Sequence, residues 1–225
     1  MKQTQPDPEL IIFDCDGVLV DSELLSCQCL SEALGACGID LTVEQALQLF
    51  LGQSTAAVSR YYRDRGHPFP KSFPDELRSR VRNSFTRSLQ PIPEVASLLS
   101  NLKTAFCVAS SSDLDRVSLS LALTGLAPHF GNRLYTSQMV ARGKPAPDLF
   151  LHAAAQMGGT PQRTLVIEDS VSGVTAAKAA GMTVWGFVGG SHYRSRDGRG
   201  ILRDAGADRV FDRMTDFWAG GRVSP

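Results

Sequence analysis

The chain lacks the features that would point to a nucleic acid or a membrane. Its 225 residues include 23 Lys and Arg against 23 Asp and Glu, so no net charge attracts a polyanion or an anionic lipid surface. No apolar run approaches the roughly 20 residues that a membrane-spanning helix needs. The polar N-terminus has no signal-peptide pattern. We therefore expect neither a nucleic-acid partner nor a membrane association.

Cysteine and histidine are few, and they are not arranged as metal ligands. The five cysteines include no C-x-x-C pair, and their odd number indicates reduced, mostly buried thiols. The four histidines also lack metal-ligand spacing. These features favour a cytoplasmic protein. No coiled-coil pattern is present, so we expect a monomer, although a dimer stays open.

Short apolar runs alternate with helical patterns along most of the chain. Runs that are hydrophobic almost throughout are typical of strands covered on both faces. Alternation of strands and helices predicts a doubly wound, Rossmann-like α/β fold with a parallel sheet. The predicted strands are 10–13, 105–109, 134–135, 164–167 and 183–187, and the helices between them are 94–102, 114–123, 147–157 and 171–180.

A helical insert interrupts this alternation directly after the first strand. Residues 22–90 contain no convincing strand, and their helices are predicted at 23–34, 43–51, 55–65 and 75–88. The sequence thus predicts an all-helical cap domain, 22–90, inserted into a catalytic core formed by 1–21 and 91–225. Its position predicts that the cap lies above the strand ends as a lid.

Two aspartates follow the first predicted strand. In extended backbone alternate side chains share a face, so Asp14 and Asp16 begin aimed at the same volume. Close carboxylates repel unless a cation or a shared proton separates them. Gly17 then lets the backbone turn sharply. A simple turn role is the alternative, but clustering carboxylates beside a core favours a metal site with nucleophilic or acid–base chemistry.

A hydroxyl group ends the second strand. Ser110 and Ser111 precede a helix whose free N–H groups would bind an anion such as phosphate. The alternative is plain capping of that helix by Ser112, and both roles are compatible.

Two charged positions complete the pattern. Lys144 precedes two stiffening prolines and would neutralise phosphate beside a carboxylate cluster, although an isolated lysine is usually a surface residue. Glu168 and Asp169 follow another buried strand and supply the hard oxygen ligands that Mg²⁺ prefers. Capping of the next helix by Asp169 or Ser170 is the alternative.

Together these positions resemble the four motifs of the haloacid dehalogenase-like hydrolases. The matching segments are 14–23, Ser110, 144–148 and 167–170, and their spacing covers essentially the whole chain. The resemblance is greatest to the branch with a small helical cap, which contains β-phosphoglucomutases and sugar-phosphate phosphatases such as 6-phosphogluconate phosphatase. These motifs are specific for the family and weak for the substrate.

The resemblance implies a role for each matching residue. Asp14 would form an aspartyl-phosphate, and Asp16 would protonate the leaving alcohol and then activate water. Mg²⁺ would be held by the Asp14 and Asp169 carboxylates and the Asp16 main-chain carbonyl, with Glu168 acting through water or orienting its neighbour. The phosphoryl oxygens would be bound by Ser110, Ser111 and Lys144.

Four cap residues are candidates for contact with the leaving group. A glycine-containing loop in this branch faces the active site, which suggests Gly52, Gln53 and Ser54 here. Ser54 as an ordinary helix cap is an equal alternative. Glu23, at the start of the insert, either contacts the substrate or only complements a helix dipole.

The predicted function is Mg²⁺-dependent hydrolysis of a small phosphorylated metabolite, a sugar or sugar-acid phosphate. A β-phosphoglucomutase-like mutase is the alternative. Mutases of this branch carry a histidine where Ser26 stands and an arginine where Thr55 stands, which favours hydrolysis. A receiver-type signalling module is less favoured because its phosphorylated aspartate lies on a later strand.

The C-terminal segment is expected to be peripheral. From Gly189 onward it carries four arginines before residue 204, and we interpret it as a solvated loop and helix face. His192 could approach the rim of the site, but this is the less favoured interpretation.

Overall fold

The computed structural model describes residues 7–217 and contains a six-stranded sheet. All five strand pairings are parallel, in the order β3-β2-β1-β4-β5-β6. The predicted doubly wound α/β fold is confirmed. The strands are β1 (Leu10–Phe13), β2 (Ala105–Ser110), β3 (Leu134–Thr136), β4 (Thr164–Glu168), β5 (Thr183–Phe187) and β6 (Arg209–Phe211).

β1 lies at the centre of the sheet, where the strand order changes direction. Its last residue, Phe13, pairs with Val108 of β2 on one side and with Ile167 of β4 on the other. Ligands of open parallel sheets bind outside the carboxyl ends of the strands at such a switch point. The ends of β1, β2 and β4 are therefore adjacent where a site is expected.

Alternate residues of β1 point into two separate hydrophobic clusters. Ile11 and Phe13 belong to the cluster on one face, and Leu10 and Ile12 to the cluster on the other. All four are at most 1 % exposed. This two-sided burial explains why β1 is apolar throughout instead of alternating with polar residues.

Four helices separate β1 from the rest of the sheet in the sequence. They are α1 (Glu23–Ala36), α2 (Val43–Phe50), α3 (Thr55–Arg63) and α4 (Phe73–Ser88). α2 begins with a capping box, in which Gln45 N donates to Thr42 Oγ1 and Thr42 N donates to Gln45 Oε1. The apolar cluster around Phe13 continues into this helical cap through Leu34 and Phe85. The domain division at 22 and 90 stays a prediction.

Six further helices cover the sheet or connect its strands. They are α5 (Val95–Asn101), α6 (Leu114–Leu123), α7 (Ala127–Phe130), α8 (Asp148–Gln156), α9 (Val171–Ala179) and α10 (Gly198–Asp204).

The short C-terminal strand was not predicted from the sequence. β6 has three residues, begins with Arg209 and lies at the sheet edge beside β5. An element this short has too few residues to show an apolar periodicity. Among residues 7–217, no helix has the length and apolar character needed to cross a membrane.

Candidate active site

The carboxyl ends of three adjacent strands bring polar side chains together. Asp14 follows β1, Ser110 ends β2 and Glu168 ends β4, and each is buried. Asp14 N donates a hydrogen bond to Ile167 O of β4 (2.9 Å), which fixes the backbone as it leaves the sheet. The predicted convergence of these positions at one edge is therefore present.

Lys144 links all three of these strand ends. Its Nζ donates hydrogen bonds to Asp14 Oδ1 (2.5 Å), Glu168 Oε1 (2.7 Å) and the main-chain oxygen of Ala109 (3.0 Å). The Lys144 side chain is 2 % exposed, so the surface interpretation does not hold. Burial by itself lowers the pKa of Lys144, but the Asp14 and Glu168 charges raise it above its usual value. The ammonium group is therefore charged at neutral pH.

Asp14 is surrounded by more acidic than basic side chains. Burial raises the pKa of Asp14 well above its usual value, Lys144 lowers it, and Glu168, Asp169 and Asp16 raise it further. The ion pair alone would lower the pKa of Asp14, so the rise comes from burial and the other acids. An ionised Asp14 therefore needs positive charge in addition to Lys144.

Both carboxylate oxygens of Glu168 already have partners. Oε1 accepts from Lys144, and Oε2 accepts from the N–H (2.8 Å) and the hydroxyl (2.9 Å) of Ser170. A side chain at Gly173 would place its Cβ 1.7 Å from Glu168 Oε1, so glycine is needed for this approach. These contacts fit Glu168 as the residue that positions Lys144. For Glu168 to take part in a metal site, as predicted, the metal would have to replace one of these hydrogen-bond partners.

Asp16 has a separate set of partners. Oδ1 accepts from the Ser22 hydroxyl (2.7 Å) and from Arg116 Nη2 (2.8 Å), and Oδ2 accepts from the Ser112 hydroxyl (2.7 Å). Burial raises the pKa of Asp16, but the Arg116 charge and the hydrogen bonds from Ser112, Arg116 and Ser22 lower it overall. Asp16 is thus an ionised carboxylate with both oxygens engaged.

The sequence interpretation missed Arg116 and misassigned the α6 cap. The N-cap residue is Asp113, whose side chain accepts from Arg116 N (2.8 Å), whereas the Ser112 hydroxyl donates to Asp16. Arg116 lies in the first turn of α6, 100 residues from Asp16 in the sequence. Only the position of α6 beside the strand ends identifies it.

Asp169 projects into a buried space beside Gly17. Asp169 Oδ2 has no hydrogen-bond partner among the described residues, and its pKa is raised well above the usual value, by burial first and by Glu168 next. Gly17 has a φ of +78°, and a Cβ there would lie 1.8 Å from Asp169 Oδ2. The glycine therefore provides both the turn and the space for this carboxylate.

His192 lies closer to the site than the favoured interpretation of its segment as a solvated loop implies. His192 is 1 % exposed, and its Nε2 lies 3.1 Å from Asp169 Oδ2 without hydrogen-bond geometry. The neighbouring Tyr193 hydroxyl donates to the main-chain oxygen of Asp169 (2.5 Å). Ser191 is tied to the same region, since its N–H and hydroxyl both donate to Asp21 Oδ1. The loop after β5 thus supports the Asp169 side of the site.

The residues present fit Mg²⁺ by their chemistry. Within residues 7–217 no group of three or more His, Cys, Asp or Glu side chains is arranged as a ready metal-binding set. Asp14 and Asp169 nevertheless offer buried carboxylate oxygens, one of them unpartnered, in a region with excess negative charge. Mg²⁺ needs few protein oxygens because water completes its coordination.

Ser110 and Ser111 lie beside Asp14 at the same edge. Ser110 Oγ accepts from Ser112 N (3.0 Å), and Ser111 O accepts from the Ser137 hydroxyl (2.8 Å). Both serines line the same cavity as Asp14 and Lys144. Their predicted contact with phosphate is compatible with these positions.

A cavity of about 530 Å³ separates these groups from the helical cap. The four predicted cap residues, Glu23, Gly52, Gln53 and Ser54, all line it. Gly52 approaches the opposite wall, because a Cβ on it would lie 3.2 Å from Ser170 Cβ. The Ser54 hydroxyl accepts from Ala57 N (3.3 Å) at the start of α3, so its capping role is present as well.

Glu23 is a buried carboxyl group facing other acids. Burial, followed by the charges of Asp16 and Asp169, raises the pKa of Glu23 to about 8. At pH 7 the group is therefore mostly protonated and can donate a hydrogen bond. Glu23 also lies in the first turn of α1, so the helix-dipole alternative stays open.

Comparison with known proteins places this geometry in a family context. The family model described as haloacid dehalogenase-like hydrolase matches residues 8–181. The 6-phosphogluconate phosphatase of Escherichia coli (strain K12) is 28% identical over 82% of this chain and 84% of its own length. A probable pseudouridine-5'-phosphatase of Drosophila melanogaster is 36% identical over 77% and 78%. The crystal structure of a haloacid dehalogenase-like protein from Agrobacterium tumefaciens str. C58 has a TM-score of 0.80 and 38% identity, covering 94% of this chain and 96% of that one.

Replacing Lys144 by methionine tests whether the buried ammonium group holds the cluster together. The change leaves the Asp14 and Glu168 carboxylates buried without their shared cation. We expect the free energy of unfolding to fall by about 3–5 kcal/mol, as for other broken buried ion pairs. Urea denaturation at pH 7 in EDTA measures this free energy.

The matched control is Arg142→Met. It removes a pair with Asp148 in which the arginine side chain is 71% exposed, so it should change stability little. Equal small changes in both variants would contradict this interpretation.

Proposed function

Because the chain belongs to the haloacid dehalogenase-like hydrolases and is a phosphoric monoester hydrolase of that family, we propose that it hydrolyses a small sugar or sugar-acid phosphate with Mg²⁺ through an aspartyl-phosphate on Asp14. The observation that carries the proposal is the position of Asp14. It contacts the buried Lys144 at the end of a cavity that Ser110 also lines.

In the first step a carboxylate oxygen of Asp14 attacks the phosphorus atom. The bond from phosphorus to the ester oxygen breaks, and that oxygen takes a proton from Asp16 and leaves as an alcohol. Lys144 and the Ser110 hydroxyl stabilise charge on the phosphoryl oxygens, which is where phosphoryl transfer gains most.

In the second step water attacks the phosphorus atom of the aspartyl-phosphate. Asp16 takes a proton from that water, the bond between phosphorus and Asp14 breaks, and inorganic phosphate leaves. Asp16 is suited to this step because Arg116, Ser22 and Ser112 keep it ionised. To act as the acid in the first step, Asp16 has to release one of these partners and take up a proton from solvent or from the phosphate monoanion; the proton taken from water in the second step restores that protonated form.

Mg²⁺ would be held by the Asp14 and Asp169 carboxylates and the Asp16 main-chain carbonyl, and it would supply the positive charge that the buried acids and the phosphoryl group require. The cap narrows access of water to this region, since the loop at Gly52 approaches Ser170 across the cavity.

Hydrolysis is favoured over the mutase alternative by the residues at two cap positions. Ser26, where the mutases have a histidine, donates from its hydroxyl to Ser22 O (2.8 Å) and accepts from Arg116 Nη2 (3.0 Å). Thr55, where they have an arginine, lines the cavity as a short neutral side chain. Both relatives named above are phosphatases, which supports net hydrolysis.

Asp14→Asn tests the nucleophile. An amide is a far weaker nucleophile than a carboxylate, so we expect Mg²⁺-dependent phosphate release from p-nitrophenyl phosphate and sugar phosphates to fall below detection. Asp204→Asn is the control, because it makes the same chemical change at an exposed position of α10. Both variants should retain the wild-type circular dichroism spectrum. Substantial turnover in purified Asp14→Asn would overturn the assignment.

Asp16→Asn tests the acid–base role by comparing leaving groups. We expect kcat/KM for an alkyl phosphate to fall by about 10²–10⁴, the usual contribution of a general acid. For p-nitrophenyl phosphate, whose leaving group needs no proton, kcat/KM should fall much less. Its kcat should still drop, because hydrolysis of the intermediate needs the base. An equal fall in kcat/KM for both substrates would refute the acid role.

A further inference from the structure

One wall of the cavity is a single face of α4. The α4 residues that line it recur every three or four positions, as one side of a helix does. They are Pro74, Leu77, Arg78, Val81, Arg82 and Phe85. This wall belongs to the helical cap, whereas Asp14, Lys144 and Asp169 belong to the sheet edge. A leaving group bonded to a phosphoryl group at Asp14 would therefore extend toward α4.

Two of these α4 residues are arginines, one helical turn apart. Arg78 makes an exposed pair with Asp75 (3.1 Å). The Arg82 side chain makes no hydrogen bond or ion pair with any other residue in the described part of the chain. A guanidinium group that lines a cavity without a carboxylate partner has its full donor capacity available for a ligand.

Arg116 connects this wall to the catalytic end. Its Nη2 lies 2.8 Å from Asp16 Oδ1, and the centre of its guanidinium group lies 4.9 Å from the centroid of the Phe85 ring. Phe85 is three residues after Arg82 on α4, which places the two side chains within about one helical turn of 5.4 Å. The path from Asp16 to Arg82 is thus on the order of 10 Å. With C–C bonds of about 1.5 Å, an extended six-carbon chain spans at most about 7.5 Å, and the ester oxygen at one end and the anionic group at the other supply the remaining length.

The distribution of charge distinguishes the two ends of the cavity. Asp14, Glu168 and Asp169 at the catalytic end would repel a second anion, beyond the phosphoryl group that Lys144 binds. Of the other acids that line the cavity, Glu23 is mostly neutral at pH 7. Asp113 is engaged by Arg116 N at the start of α6, where Asp115 also lies. The arginines of α4 are where a second negative charge would be favourable.

We propose that Arg82, assisted by Arg78, binds a second anionic group at the far end of the substrate, either a terminal carboxylate or a second phosphate. This proposal rests on the proposed phosphatase activity and narrows its substrate class to phosphomonoesters that carry a second negative charge. Arg82 would act as a specificity residue without contact to the reacting atoms.

Matched substrates test the subsite. 6-Phosphogluconate, glucitol 6-phosphate and glucitol 1,6-bisphosphate share a six-carbon chain and differ at C1 in carrying a carboxylate, a hydroxyl or a phosphate. We expect the wild-type kcat/KM to be higher for 6-phosphogluconate, for glucitol 1,6-bisphosphate or for both than for glucitol 6-phosphate. Arg82→Gln should lower that ratio about tenfold, the effect of losing one charge-assisted hydrogen bond. Whichever of the carboxylate and the phosphate gives the larger ratio identifies the anion.

Arg87→Gln is the matched control. Arg87 lies on the same helix and carries the same charge, but it does not line the cavity. For Arg87→Gln, the ratio of kcat/KM for the substrate with a charged C1 group to kcat/KM for glucitol 6-phosphate should equal the wild-type ratio. Binding constants measured with Asp14→Asn by calorimetry provide a second readout that does not need turnover, and there Asp14→Asn/Arg82→Gln should lose the preference for the charged chain.

Each outcome is informative. The subsite is overturned if the wild type shows no preference for a substrate with a charged C1 group. It is also overturned if Arg82→Gln leaves the kcat/KM ratio between charged and uncharged substrates unchanged, or if Arg87→Gln lowers that ratio equally. If the wild type hydrolyses p-nitrophenyl phosphate and none of the hexitol substrates, and Asp14→Asn binds all three equally, the subsite fails while the phosphatase stands. If no phosphomonoester is hydrolysed, the proposed function fails, and the calorimetric comparison still decides whether Arg82 binds the anion.

Discussion

The site depends on one buried ammonium group. Lys144 comes from a loop between β3 and α8, and its three hydrogen bonds join the end of β2 to Asp14 after β1 and Glu168 at the end of β4. Without a cation between them, Asp14 and Glu168 would be like charges buried at close range, which is costly in a medium that screens poorly. The parallel sheet sets the spacing of the strand ends, and Lys144 reduces the repulsion between the two carboxylates held at that spacing. Asp14 can therefore remain both buried and directed into the cavity.

The two aspartates of the Asp-x-Asp pattern have opposite electrostatic environments although they are two residues apart. Burial and neighbouring acids raise the pKa of Asp14, whereas Arg116 and two serine hydroxyls lower the pKa of Asp16. Pairs of acids whose surroundings separate their pKa values are characteristic of sites that divide nucleophilic and acid–base work. Here the separation comes from different partners: strand ends and Lys144 around one carboxylate, and the first turn of α6 around the other.

The helical cap encloses the site and adds positively charged side chains to it. The sheet edge is rich in acids, while the cavity face of α4 presents Arg78 and Arg82. The proposed function and anion subsite would separate the reaction at the sheet edge from recognition of the leaving group at α4. This separation would also account for the limited information in the motifs. They describe the sheet edge, whereas the proposed selection of the substrate lies at the opposite wall.

The sequence by itself determined the positions of β1 to β5, the helical insert and the polar strand ends, because each leaves a local pattern: β1 is apolar throughout since both of its faces are buried, and Asp14 follows its last residue. Tertiary structure alone decided that Arg116 meets Asp16 and that His192 lies against Asp169. These pairs are far apart in the chain, so no periodicity or capping signal joins them. An arginine in a helix or a histidine in a loop looks the same in sequence whether it faces water or a carboxylate. The packing of α6 and of the loop after β5 against the sheet edge makes that choice.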